Sequence, residues 1–135
     1  MKSCFTLVLG MTLVLPLSAS IKWNSKPPNP VEGLLGENVT LEWNFTLANE
    51  NLDYFSLLRN YRDMIKYSDV GFVIYKHFKG SVGMVKNGTP AFMLINLKWS
   101  DDGTNFCCKV GTKTTTGSEG DTYVDCVALK VLGEM

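Results

Sequence analysis

The sequence predicts an all-β fold, a two-layer antiparallel sandwich, because short strand-like runs recur along the chain with turn residues between them. In the run GENVTLEWNF, apolar Val39, Leu41, Trp43 and Phe45 alternate with polar residues, which is the period-two pattern of a half-buried strand. Seven or more such runs, at spacings of roughly 8–12 residues, are typical of a sandwich. A small closed barrel is the alternative.

The chain begins with a segment typical of a secretory signal peptide, residues 1–20. Lys2 precedes an apolar run from Cys4 to Leu15, and small residues around Ala19 follow that run. The run is shorter than the roughly 20 residues that cross a bilayer, so we prefer a cleaved leader to a transmembrane anchor. We expect one domain over residues 21–135 without a membrane segment, either secreted or on the extracellular side of the plasma membrane as part of a longer receptor.

Three further elements lie between the leader and residue 78. The proline-rich segment 24–30 predicts extended backbone. The segments 51–60 and 70–78 are rich in aromatic and aliphatic residues and predict two strands. Between them, residues 59–69 are ambiguous, since they fit either a continuing strand or a short helical turn.

The second half of the sequence predicts a hairpin and a final long strand. Within residues 80–97, Asn87-Gly88 is a turn signal between two apolar stretches. In the last segment Val127, Leu129 and Val131 alternate with other residues, so we expect them to point inward.

Charge and glycosylation motifs narrow the class of partner. Thirteen basic and thirteen acidic residues leave the chain without net charge, and without a basic stripe nucleic acid is not an expected partner. Three sequons, beginning at Asn38, Asn44 and Asn87, suit a secreted glycoprotein. Asn38 and Asn44 lie on the polar phase of the first strand, which supports an inward Trp43.

The sequence does not predict an enzyme. His77 is the only histidine, which argues against a Ser-His-Asp site or a histidine-rich metal site, and we expect no cofactor. Asp101 and Asp102 fit a turn better than a catalytic carboxylate pair. The vicinal Cys107 and Cys108 lack the cluster of basic residues that would activate them as a redox pair.

The segment FMLINLKWSDDGTNFCC, residues 92–108, resembles the stretch spanning strands E and F of immunoglobulin-superfamily domains. In that family an apolar-x-apolar-x-x-apolar run precedes Asp-x-Gly-x-Tyr-x-Cys. The corresponding positions here are Phe92, Leu94, Leu97, Asp101, Gly103, Asn105 and Cys107. GENVTLEWNF resembles strand B and VALKVLG the end of strand G. The length between strands C and E leaves room for strands C′ and C″, so the resemblance implies a V-set-like sandwich.

Trp43 is the most consequential departure from the family pattern. Strand B normally carries a cysteine at this position, so the resemblance implies that the inter-sheet disulfide is absent. We expect Trp43 to fill that space and to pack against Cys107 as a buried thiol. Burial of an indole is worth about 4–6 kcal/mol as an upper bound, which is comparable to the about 4 kcal/mol that such a disulfide contributes.

Other family positions are also altered. Asn105 stands where the family has its corner tyrosine, and Phe55 or Leu57 takes the place of the tryptophan of strand C. The basic partner of the family's aspartate is either Lys79 or Lys86.

The cysteine count leaves one unpaired residue. Cys107, Cys108 and Cys126 remain after the leader is removed, an odd number in an oxidising compartment. If Cys107 faces inward as the resemblance implies, Cys108 faces outward, and the phase of the last strand also turns Cys126 outward. We therefore expect a Cys108–Cys126 bridge between strands F and G, in a hairpin that turns at Gly117. A Cys107–Cys126 bond, or a bond to another chain, is the alternative.

The resemblance implies an extracellular recognition or adhesion domain with a protein ligand. The divergent cysteine pattern is similar to that of cnidarian allorecognition receptors, which implies homophilic binding in self/non-self recognition, by the membrane-distal part of a cell-surface receptor. The candidate contact residues are Tyr54, Arg59, Tyr61, Trp99 and the loop 111–121. The alternative is a small secreted effector, such as an inhibitor, a toxin-like protein or a carbohydrate-binding protein.

Overall fold

The computed structural model describes residues 21–133, so the expected leader lies outside the described residues. Within that range strands dominate, and the segment 59–69 forms a strand and a tight turn rather than a helical turn. The strands are β1 (Ile21–Ser25), β2 (Val31–Leu34), β3 (Val39–Glu42), β4 (Asn44–Leu47), β5 (Asn51–Arg59), β6 (Arg62–Ser68), β7 (Gly71–Ile74), β8 (Val82–Met84), β9 (Ala91–Leu94), β10 (Asn105–Lys113) and β11 (Glu119–Leu132). Short 3-10 turns span Lys76–Phe78 and Trp99–Asp101.

The strands form the two layers that the sequence predicts. The first layer is a six-stranded sheet in the order β2-β11-β10-β5-β6-β7, in which β2 runs parallel to β11 and the other pairs are antiparallel. The second layer consists of β3-β9-β8 and β1-β4. Trp43 alone separates β3 from β4, and its backbone N–H donates to the carbonyl of Pro90 at 3.0 Å. Strands β6 and β7 take the places expected for C′ and C″.

An aromatic cluster fills the space between the layers. Trp43, Phe55 and Phe92 are fully buried, and Phe92 makes edge contacts with both of the other rings at centroid distances of 6.2 and 6.0 Å. Phe55 also stacks on Tyr67 at 4.9 Å. The Trp43 indole N–H donates to Asp125 Oδ2 at 2.8 Å, so this buried ring has its polar atom satisfied. The inward orientation expected for Trp43 is confirmed.

Strand β10 has the opposite phase to the one that the family pattern implies. Phe106, Cys108 and Val110 point into the core, and Cys107 lies on the other side of the strand. Cys107 stands directly opposite Cys126 in the β10–β11 ladder, and the two form the disulfide. The expected Cys108–Cys126 bridge is therefore wrong, as is the assignment of Cys107 as the buried thiol. A slip of one residue moves every side chain of a strand to the other face.

Cys108 is the buried free thiol. Burial and the negative charge of nearby Asp125 both raise the pKa of its thiol above the ordinary range. We expect native protein treated with iodoacetamide at pH 8 to show no modification of Cys108, and complete modification once urea has unfolded the chain. Mass spectrometry of the intact protein measures this difference. Complete modification of Cys108 in the folded protein would contradict its placement in the core.

Asp101 and Asp102 both have structural roles at the end of the sandwich where β5 ends. Arg59 is the basic partner of Asp101, with Nη1 at 2.6 Å from Oδ1, so neither Lys79 nor Lys86 takes this role. Asp102 Oδ1 accepts the backbone N–H of Val131 at 2.8 Å. These contacts tie the connection before β10 to strands β5 and β11.

Candidate protein-binding face

The six-stranded sheet has one side packed on the second layer and one side turned away from it, which we call the outer face. Cross-strand register defines a row of outer-face residues over five adjacent strands, here called the central row. In order from β11 to β7, the row is Val124, Lys109, Ser56, Lys66 and Val73. Ser56 is buried at the centre, the lysines are partly buried, and the two valines at the ends are about half exposed, at 51% and 58%.

A tyrosine is fixed beside the central row by a glycine and a lysine. Tyr54 lies opposite Gly111 in the β5–β10 ladder, and a Cβ atom at Gly111 would collide with the Tyr54 ring. The ring therefore lies directly on the backbone of β10. The Lys66 ammonium sits 4.4 Å from the centroid of the same ring, a cation–π contact that holds both side chains in place.

We expect Gly111→Val to lower the free energy of unfolding by about 1–3 kcal/mol, because the new side chain would displace the Tyr54 ring. Gly83→Val is the matched control, since Gly83 is also a strand residue and a Cβ atom there meets no heavy atom within 4 Å. Urea unfolding of both variants measures the difference. Equal losses would show that Tyr54 does not occupy the space above Gly111.

The disulfide braces the same face. Cys107 lies between Cys126 on β11 and Leu58 on β5, in the row next to the central row. The bond crosslinks β10 to β11 two residues away from Lys109 and Val124. The covalent link and the Tyr54–Gly111 contact therefore flank the central row on its two sides.

The structure does not bring the candidate contact residues of the sequence analysis into one site. Tyr54 lies on the outer face, at the end near the β10–β11 hairpin, because Lys113 of that hairpin pairs with Asn51. Tyr61 is 72% exposed in the β5–β6 turn, just beyond Arg59, which lies about 17 Å from Tyr54 along β5. Trp99 is 37% exposed in the 3-10 turn between β9 and β10.

Arg59 is engaged in structure rather than free for a partner. Besides its ion pair with Asp101, its guanidinium lies 5.8 Å from the centroid of Phe106. The residue also lines a pocket of about 220 Å³, together with residues that include Met64 and Leu94. This volume is below the roughly 300–1,000 Å³ of typical small-molecule pockets.

The sequons all lie in the second layer, away from the outer face. Asn38 directly precedes β3, Asn44 begins β4, and Asn87 lies in the turn between β8 and β9. All three side chains are exposed. Glycosylation at these sites remains a prediction, and glycans there would cover the second layer and leave the outer face open.

Among residues 21–133, three or more His, Cys, Asp or Glu side chains nowhere meet in a group that could hold a metal ion. The same part of the chain has no helix with the length and apolar character needed to span a membrane.

Comparison with solved structures identifies the fold. The CD2-binding domain of CD58 (lymphocyte function-associated antigen 3) superposes with a TM-score of 0.53 at 16% identity, over 76% of this chain and 53% of that chain. The V domain of amphioxus IgVJ-C2 gives 0.53 at 17% identity, over 75% of this chain and 100% of that chain. The whole amphioxus IgVJ-C2 molecule gives 0.54 at 18% identity, over 75% and 54%.

This chain therefore spans about half of the CD58 chain and about half of the whole IgVJ-C2 chain. No family model matches the sequence, and no curated protein matches it. At these identities the likeness concerns the fold. The chain has the fold of an immunoglobulin V domain, a V-set-like two-layer β-sandwich.

Proposed function

We propose that the chain is an extracellular recognition or adhesion domain, the membrane-distal part of a cell-surface receptor, and that it binds a protein through its outer face. The observation that carries the proposal is the division between the two layers. The outer face carries two lysines, an ordered tyrosine and two exposed valines, while all three sequons belong to the other layer. The CD58 domain with this fold is a CD2-binding domain, which supports a protein as the ligand.

The remaining features of the sequence agree with this proposal. A leader at residues 1–20 would direct a single domain over residues 21–135 to the cell surface or the exterior, where the disulfide and the three glycans would form. Binding of this kind requires neither a catalytic residue nor a cofactor. The partner is a protein on another cell, either a different protein or a second copy of this chain, as in homophilic self/non-self recognition.

A glycan placed on the outer face tests the proposal. Lys66→Asn creates a sequon with Ser68, and its glycan would cover the central row. Lys79→Asn is the matched control, because it creates a sequon with Ser81 at an exposed position outside the outer face. We expect multimers of the wild-type chain and the Lys79→Asn variant to stain cells of the source organism, and the Lys66→Asn variant to lose staining.

Glycan occupancy at both new sequons is first verified by mass spectrometry. Equal staining by the two glycosylated variants would refute binding through the outer face. Beads coated with the wild-type chain provide a separate measurement of homophilic binding, since they clump only if the partner is a second copy.

A further inference from the structure

The centre of the outer face carries positive charge that the chain itself does not neutralise. Lys109 and Lys66 stand on either side of Ser56 in the central row. Among residues 21–133, ion pairs join Lys26 to Asp125 and Arg59 to Asp101, and neither central lysine has a carboxylate within ion-pair distance. Since the whole chain has no net charge, this charge is a local property of the face.

The lysines are spaced and oriented by the sheet. Strands lie about 4.8 Å apart, so the two lysine Cα atoms are about 10 Å apart and the two valine Cα atoms about 19 Å apart. The Lys66 ammonium is held over Tyr54, which restricts the freedom of its long side chain. The Lys66 side of the row is therefore ordered before any partner arrives.

A buried hydroxyl lies between the two lysines. Ser56 Oγ is inaccessible to solvent and has no hydrogen-bond partner among the described residues. Asp63 is in the neighbouring row, opposite Leu58, and makes no ion pair with either lysine. A carboxylate supplied from outside would therefore meet the two ammonium groups, with Ser56 closed to solvent between them.

We propose that the outer face binds an acidic surface of another protein, whose carboxylates meet Lys66 and Lys109 at the centre while apolar groups contact Val73 and Val124. This inference rests on the proposed function and names the chemical class of its partner. Charge complementarity of this kind steers association and excludes like-charged partners.

The same geometry disfavours a second copy of the chain as the partner. The central row is nearly symmetric about Ser56, with a lysine and then a valine on each side. Homodimers usually form about a two-fold axis. If two outer faces met about an axis through Ser56 along either the row or the strands, each central lysine would face a lysine, and such juxtaposition of like charges is strongly unfavourable.

A binding experiment with two defined probes tests the inference. The full chain is passed over immobilised poly-L-glutamate and, separately, over immobilised wild-type chain. We expect binding to poly-L-glutamate that weakens tenfold or more in Lys66→Ala/Lys109→Ala and with added salt. The control, Lys22→Ala/Lys86→Ala, removes two exposed lysines of the second layer and should bind like wild type.

The outcomes separate this inference from the proposed function. Equal weakening in both double variants, or an absence of binding to poly-L-glutamate, would overturn the acidic partner. Self-binding that Lys66→Ala/Lys109→Ala abolishes would overturn it in favour of a second copy. In either case, cell staining lost only in Lys66→Asn would leave the proposed function standing, whereas staining unaffected by that glycan would remove both.

Discussion

Replacing Trp43 by alanine is expected to lower the free energy of unfolding by about 3–5 kcal/mol, the range measured for large aromatic side chains removed from cores. Trp43 has no solvent exposure, packs edge-on against Phe92, and is the single residue that joins β3 to β4. Its loss would leave a cavity between the layers. Because domains of this size are stable by only about 5–15 kcal/mol, the variant would lose a large share of its stability.

Urea unfolding followed by circular dichroism measures this loss, and Trp99→Ala is the matched control. Trp99 is 37% exposed and lies outside the core cluster, so its removal should cost less than about 1 kcal/mol. A third variant, Trp43→Phe, keeps most of the packing but removes the N–H that Asp125 accepts. It should fall between the other two, since Asp125 retains its ion pair with Lys26. Equal losses for Trp43→Ala and Trp99→Ala would contradict the placement of Trp43 at the centre of the sandwich.

The strands that could be predicted are those whose own sequence alternates. Val39 and Leu41 of β3, with Trp43 directly after it, reveal the inner face because each polar neighbour points the other way. Val127, Leu129 and Val131 do the same for β11, and all three are buried as expected. The same alternation correctly predicted that Cys126 points away from the core. Local alternation therefore sufficed to predict which side chains point inward, wherever one face of a strand is apolar and the other is polar.

The family pattern misassigned β10 because it can be placed in two registers. Two adjacent aspartates and two adjacent cysteines let the Asp-to-Cys spacing fit either Asp101 with Cys107 or Asp102 with Cys108. Gly103 favoured the first placement. The deciding signal was that apolar Phe106 and Val110 alternate with polar Asn105 and Lys109, which places Cys108 on the inner face.

The candidate site was only partly predictable because it is a property of several strands. Tyr54 could be named from its residue type, but its position on Gly111 depends on the register between β5 and β10. Lys66 and Lys109 each stand as a charged residue between apolar neighbours, which indicates an outward position in a strand. That they flank Ser56 follows only from the pairing of β5 with both β6 and β10, and β10 is distant from β5 in sequence.

Removing the disulfide with Cys107→Ala/Cys126→Ala is expected to lower the free energy of unfolding by about 3 kcal/mol. The two cysteines are 19 residues apart, and closing a loop of about that length reduces the entropy of the unfolded chain by this amount in the chain-entropy model. The outer face should also become less rigid, because the bond crosslinks β10 to β11 beside the central row. Urea unfolding at neutral pH, with and without a reductant, measures the effect.

Cys108→Ala distinguishes the observed pairing from the one that the family pattern implies. This variant loses a buried sulfur, at a cost of about 1 kcal/mol, but keeps the Cys107–Cys126 bond. Its stability should therefore still fall when reductant is added, as in the wild type, whereas the double variant should not respond to reductant. If Cys108→Ala were the variant that lost its response, Cys108 would be the partner of Cys126. Strand β10 would then have the opposite phase and Lys109 would point into the core. That arrangement is prohibitively costly, because it would bury an unpaired ammonium group.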